Sequence, residues 1–342
     1  IGCGMGAVQT NIPVNELTDR AFIRSILKSV KVQVPVGEGK SNKKSRHWSG
    51  FRNYLESIEI EYPLKNFDDK KLPLWLTKRG WELDSLNLGS LGGGNHFIEL
   101  QKGDDGFIWL MLHSGSRNLG HRVASYYHKL ALGLNIKWKI ELPDKQLAFF
   151  PADSDEGKAY IRDMNYALSY AKESRRLMME AFKESLREAV SAVEFLREVN
   201  IHHNYAAIES HFGRNVWVHR KGATSAKKGE VGIIPGSMGT PSYIVEGLGA
   251  EESFMSCSHG AGRVMGRMEA CRKLTVEQAD KAMEGIVYDW WKKVKRRGKN
   301  RAKMTDLGEA PQAYKDIEDV IEAELDLIKP LVKLWPLGVI KG

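Results

Sequence analysis

The chain has 342 residues, 42% of them hydrophobic and 27% charged, enough to bury the core of one large domain or two smaller ones. No apolar run approaches the ~20 residues of a bilayer-spanning helix, which excludes an integral helical membrane protein. A formal charge of +8 favours polyanionic partners such as nucleic acid, although many basic proteins bind none.

The first residues, IGCGMGAVQT, have neither the basic nor the long apolar region of a signal peptide, and the sequence is expected to begin inside a longer protein. They read as a Gly-rich entry segment, followed by an amphipathic helix from Glu16 to Val30 in which Leu17, Phe22, Ile26 and Leu27 fall near helical spacing. Gly37 to Ser49 carries Lys40, Lys43, Lys44, Arg46 and His47 among glycines and serines, the composition of a basic loop. Phe97 to Leu100 and Phe107 to Leu112 read as two strands of a hairpin around the turn Lys102-Gly103-Asp104-Asp105-Gly106. Tyr160 to Val199 contains no Gly or Pro and predicts two helices. Strands are expected near Val216–His219, Gly232–Ile234 and Tyr243–Val245, and helices over Val276–Lys295 and Tyr314–Leu334. Between those helices lies the basic run Lys292 to Lys303, expected as a solvated face or loop, with RNA contact as the alternative. Helices and strands do not alternate regularly, which predicts an α+β fold: a single large domain, residues 1–342, of mixed sheets with flanking helices.

Glycines recur beside polar or metal-binding residues in GCGMG (Gly2–Gly6), GGGNH (Gly92–His96), PGSMG (Pro235–Gly239) and HGAG (His259–Gly262). Such loops let backbone N–H groups approach a phosphate closely, and an ordinary tight turn is the competing reading of any one of them. Of ten histidines, His96, His113, His203 and His259 lie in or beside these loops, where distant segments converge. With Cys3 they suit a borderline-soft ion such as Mn, Co, Ni or Zn, although no CxxC or HExxH spacing is present and structural histidines would look the same. The adjacent His202 and His203 must point in different directions, so one of them at most is expected to be a ligand. His259, in SCSHGAGR, has small neighbours that would admit a phosphate, which suits a nucleophile; a metal ligand or a helix cap fits equally well. His47 and His128 read as surface residues. Arg117, Arg220, Lys221, Lys227, Lys228 and Arg263 could pair with phosphates or solvate the surface. The odd cysteine count, Cys3, Cys257 and Cys271, argues against a disulfide framework and for a reducing compartment, the cytoplasm by default.

In combination, IGCGMG, GGGNHFIE, HSGSRNLGH, HHNYA, RKGATSA, GIIPGSMG and SCSHGAGR occur in the order found in the RtcB family of RNA-splicing ligases, which the chain resembles over nearly its whole length. The resemblance implies a GTP- and Mn²⁺-dependent enzyme, acting in tRNA splicing or RNA repair. It would join RNA ends bearing a 3′-phosphate or 2′,3′-cyclic phosphate to 5′-hydroxyl ends through GMP carried on His259. It implies Cys3 as a ligand shared by two manganese ions, with His96 on the first and His113 and His203 on the second. The nucleotide pocket it implies comprises Asn95, His96, Phe97, Ile98 and Glu99, the last able to accept from guanine N1 and N2, with His203, Asn204, Pro235, Gly236, Ser237, Met238, Ser242, His259, Gly260, Ala261, Gly262 and Lys341. It further implies an Asp immediately before Ile1 and, in some relatives, a helper protein. Two other functions compete: a metal-dependent phosphoesterase or cyclic-phosphate hydrolase, and a non-catalytic RNA-binding module.

Overall fold

The computed structural model describes residues 1–60, 72–289, 291–295 and 303–342. Its opening segment, expected as an entry loop, is strand β1 (Gly4–Pro13). Gly4 is required there, because a Cβ would lie 2.1 Å from the Ile201 carbonyl oxygen and 2.7 Å from the Arg175 guanidinium carbon. The first helix is present as α1 (Arg20–Gln33). It starts at Arg20 because the Asp19 carboxylate accepts from the Ala21 and Phe22 N–H groups and caps it. The stretch from Gly37 contains no helix until α2 (Ser49–Ser57), and α3 (Lys78–Asn87) follows. The expected hairpin is β2 (Phe97–Gly103) and β3 (Phe107–Ser114), leading into α4 (Leu119–Lys137).

Three further expectations fail. The Gly- and Pro-free stretch is one helix, α5 (Asp155–Ala189), followed by a strand, β4 (Phe195–His202). Helical composition carries on to Ala189, but β4 gains hydrogen bonds along β1 that no helix could supply there. The hairpin β5 (Asn204–His211) and β6 (Arg214–Lys221) comes next, then β7 (Ala223–Ser225), β8 (Val231–Ile234), β9 (Ser242–Gly247) and β10 (Ser256–Ser258), close to the expected strands. After α6 (Arg267–Lys273), the helix expected over Val276–Lys295 is only α7 (Val276–Ala282). Gly285, at φ +82°, turns the chain into β11 (Val287–Tyr288) and β12 (Lys293–Lys295), which pairs with β13 (Lys303–Thr305). Much of the basic run Lys292 to Lys303 therefore lies outside the described residues. The helix expected over Tyr314–Leu334 is α8 (Ile317–Glu322) alone, and the rest belongs to β14 (Ile328–Lys341). Pro330 and Pro336 forbid a continuous helix there.

An antiparallel sheet in the order β4-β1-β3-β2-β14-β9-β8, with β11 parallel to β14, organises the molecule, and its edge strands β4 and β8 approach each other so that it nearly closes. One face packs Ile98, Leu100, Leu110 and Leu112 against α1 and α5, while the other buries Met5, Phe97, Trp109 and Met111 with Ile244 and Leu334. The fold is α+β, as the irregular element order predicts. Register is what builds the site: Gly4 pairs with Ser114 and with His202, Phe97 with His113, and Lys341 with Phe97. The ends of five strands therefore meet at one edge of the sheet.

Candidate metal centre

Cys3, His96 and His113 come together at that edge, with their ligand atoms all within 4.8 Å of one another. The Nε2 atoms of His113 and His203 lie 3.2 Å apart. His203 is in the turn between β4 and β5, and its N–H donates to the Cys3 carbonyl at 3.0 Å. Backbone carbonyls aim the rings: His96 Nδ1 lies 2.8 Å from Leu91 O and His113 Nδ1 lies 3.2 Å from Asn95 O. With Nδ1 donating to a carbonyl, each Nε2 keeps its lone pair free to face the other rings, as it would have to in order to bind a metal.

Burial sets the charge states. It lowers His96 to about 4 and pushes His113 and His203 well below the ordinary imidazole range, so all three are neutral at pH 7. Burial raises the Cys3 thiol, against the pull of Arg175. Two facing imidazole lone pairs and a thiol beside them form a donor set that a soft or borderline divalent cation satisfies, displacing the thiol proton. The His202 ring is engaged elsewhere, its Nδ1 3.2 Å from the Arg175 guanidinium.

His259 stands next in this row of rings, its centroid 4.9 Å from that of His203. It hydrogen-bonds to the backbone of Gly222, and burial lowers its pKa, leaving a neutral imidazole with one ring nitrogen free. Around it, Ala261 N–H donates to Pro235 O at 2.9 Å, joining the HGAG and PGSMG loops. Gly260 and Gly262 have φ of +157° and +73°.

The other residues expected in a nucleotide pocket divide into groups. Glu99, fully buried on β2, accepts from Gln101 Nε2 at 2.7 Å, and that amide also reaches Ser242 Oγ at 3.4 Å. Ser242 Oγ in turn accepts from the Gly236 N–H at 3.3 Å. Burial raises Glu99 to about 7, against Lys341 and the Gln101 amide. Lys341 lies over the Phe97 ring, within 3.4 Å of Asn95 O and 3.2 Å of the Glu309 carboxylate. Ser237 is tied to Thr240, and Asn204 opens β5 opposite Lys221. The Ile98 and Met238 side chains are committed to apolar clusters, Ile98 on the opposite face of the sheet, so of Ile98 only the backbone is left for a ligand.

Sequence reasoning missed Arg175, Gln101 and Glu309. A glutamine directly after the apolar run Phe97–Leu100 was the available signal; Arg175, among Lys172, Glu173, Ser174 and Arg176, offered none. Three of the basic candidates pair internally: Arg220 and Lys227 with Glu209, and Arg263 with Glu309 and the Gly308 carbonyl.

Fold and site together define an α+β protein with a thiol–imidazole cluster that could hold a metal ion, set among glycine-rich loops. The chain belongs to the RtcB family: the family described as "tRNA-splicing ligase RtcB" matches residues 1–342. It is 35% identical to the RNA-splicing ligase RtcB of Escherichia coli (strain K12), over the whole chain and 82% of that protein. It is 31% identical to the tRNA-splicing ligase RtcB of Methanococcus maripaludis, over the whole chain and 80% of that protein. Against the RNA-splicing ligase RtcB of Mycobacterium tuberculosis, identity is 35% over 75% of the chain and 65% of that protein.

Proposed function

We propose that the protein is an RNA ligase that uses GTP and Mn²⁺ to join RNA 3′-phosphate or 2′,3′-cyclic-phosphate ends to 5′-hydroxyl ends. The observation that carries this reading is the position of His259: a neutral imidazole beside His203 at the end of the row of rings, bordered by the glycine-containing HGAG and PGSMG loops. Cys3, His96, His113 and His203 would hold two manganese ions, which supply charge neutralisation to the triphosphate and RNA phosphates. The proposal includes the aspartate that the family resemblance places immediately before Ile1.

In the first step the free ring nitrogen of His259 attacks the α-phosphorus of GTP. A P–N bond forms, the bond to the bridging oxygen breaks and pyrophosphate leaves. Glu99 accepts from guanine N1 and N2, which favours the carboxylate over the acid that burial otherwise promotes. Lys341, Asn204, Ser237 and the Gly260–Gly262 backbone line the remaining pocket. A 2′,3′-cyclic end is first opened by water to a 3′-phosphate. An oxygen of that 3′-phosphate displaces His259 and takes GMP; the 5′-hydroxyl then attacks the activated phosphorus, GMP leaves and the hydroxyl proton passes to solvent. The chemistry belongs in a reducing compartment, the cytoplasm, because the Cys3 thiol must stay available, and all three cysteines are free.

A chain carrying the preceding aspartate, given Mn²⁺ and GTP labelled in the α-phosphate, is expected to become covalently labelled. GTP labelled in the γ-phosphate is expected to leave no label, and His259→Ala to abolish the adduct. A phosphate-releasing protein that never acquires label would be a hydrolase, and that outcome overturns the proposal.

A further inference from the structure

We infer that Glu309 is the residue that positions Lys341 in the nucleotide pocket, holding its ammonium group over Phe97 and away from Glu99; the inference rests on the RNA-ligase reading above. Glu309 lies in the segment between β13 and α8, and both of its carboxylate oxygens are filled. Oε1 accepts from Arg263 Nη1 at 3.2 Å and from Arg267 Nε at 2.7 Å, while Oε2 accepts from the Tyr314 hydroxyl and from Lys341 Nζ at 3.2 Å. Four donors use all the lone-pair positions of a carboxylate. Burial pushes its pKa up, but Lys341, Tyr314 and Arg267 together hold it below the ordinary carboxylate range, so the group is charged at neutral pH. The segment itself is fastened to the loop that carries His259. Arg263 forms an antiparallel bridge with Tyr314, its guanidinium donates to the Gly308 carbonyl, and the Lys315 N–H donates to Gly262 O at 3.0 Å.

Neutralising the two arginines accounts for Oε1 alone. Oε2 is fixed by Tyr314, whose hydroxyl in turn accepts from Arg263 Nη1 at 3.0 Å, so the one remaining lone pair is presented to Lys341 by a rigid clamp. Lys341 needs such a partner, because an ammonium on a flexible four-carbon stem has no direction of its own. In β14 Lys341 pairs with Phe97 and Val339 with Glu99, so Lys341, Phe97 and Glu99 share one face of the sheet. Glu99 is the diagonal neighbour of Lys341, within reach of a long side chain. The charge of Lys341 already acts on Glu99, against the burial that raises that residue. An ammonium settled on Glu99 would occupy the acceptor that guanine N1 and N2 need. Glu309, together with the Asn95 carbonyl at 3.4 Å from Nζ, holds the ammonium to the other side and leaves Glu99 for the base. This role has a distinctive sign: removing a carboxylate near a triphosphate by charge alone strengthens binding, whereas loss of a positioning residue weakens it.

The test is a double-mutant cycle on a chain carrying the preceding aspartate, with Mn²⁺ present. Affinity is measured by calorimetry with a GTP analogue whose α,β-bridging oxygen is replaced by methylene, so that it binds without transferring GMP. Transfer is measured separately, as the rate of His259 labelling by GTP labelled in the α-phosphate. Glu309→Gln is expected to weaken the analogue about tenfold and to lower the labelling rate at saturating GTP by less than about threefold. In a Lys341→Met background the same substitution is expected to change affinity by less than about twofold, because the ammonium on which Glu309 acts is gone. Melting temperatures confirm that each variant is folded. Glu309→Asp, which keeps the charge facing the two arginines and shortens the reach to Lys341, carries the same comparison if the Gln variant melts below the assay temperature. Unchanged or tighter binding in the folded Glu309 variant, or an equal loss in both backgrounds, overturns the positioning role and leaves the ligase reading standing. A native chain that neither binds the analogue nor acquires label overturns both.

Discussion

Arg175 is 1% exposed, yet every part of its guanidinium is used. It donates to the Gly2 and Ser114 carbonyls, to Asn200 Oδ1 and to His202 Nδ1, tying the segment that carries Cys3 to the ends of β3 and β4. Burial lowers it to about 10, so it stays charged at neutral pH and favours a Cys3 thiolate. A second buried arginine shows a different economy. Arg220 grips both oxygens of Glu209 at 2.7 and 2.9 Å, and His211 and Lys227 reach the same carboxylate at 3.1 and 3.2 Å. Hydrogen bonds from Arg220 outweigh the desolvation and hold Glu209 down at about 2. Because the folded value is below the unfolded one, the stabilisation is fully present above pH 4.5 and disappears as pH falls toward 2. The depression corresponds to at most about 3 kcal/mol. Urea denaturation from pH 6 to pH 2 is expected to show this loss in the native chain and not in Glu209→Gln; parallel pH profiles for the two would refute the role given to the pair.

At the scale of the element, β14 repays attention because its sequence hides it. It is the strand between β2 and β9, and its last residues carry Lys341 to the metal edge. Gly338 lies beneath α1, where a Cβ would come within 2.8 Å of both Ile23 Cγ2 and Leu27 Cδ1. Gly338→Leu is expected to overpack this contact and cost about 1–3 kcal/mol, read as a lower urea midpoint with an unchanged slope. A midpoint equal to that of the native chain would show that α1 moves aside freely. The hairpin β2–β3 was legible in the sequence because its turn and its apolar strands are local signals. β14 was not, because alternation in it is interrupted by the register shift between Pro336 and Gly338, and the helical residues of α8 run almost into it. β1 was missed for a related reason: its glycines read as a loop, whereas they are there to let Arg175 and the neighbouring backbone come close.

At the scale of the molecule, the metal centre draws on the start of β1, the loop before β2, the end of β3 and the turn after β4. A cation bound there links segments that are distant in sequence, and it stabilises the native state by mass action. Mn²⁺ at a hundred times its dissociation constant is expected to add about 2.7 kcal/mol, a rise in Tm of roughly 4 °C. His113→Ala is expected to lose most of that rise, since its Nε2 faces both its neighbours in the row. A variant that gains as much as the native chain would show that manganese binds elsewhere.

Cys3, His96, His113, His203 and His259 stood out as candidates in the chain alone, because thiol and imidazole beside glycine-rich loops are residue-level signals, and the order of motifs carried the family. The α+β class was legible too, from the irregular succession of helical and strand patterns. What only the tertiary structure decided is register: antiparallel pairing of Gly4 with Ser114, Phe97 with His113 and Lys341 with Phe97 puts those residues at one edge. No spacing in the sequence encodes that. It also decided which of two adjacent histidines faces the centre and which arginines are neutralised inside the protein. Those depend on long-range packing and on the charges that packing brings together, and a linear pattern contains neither.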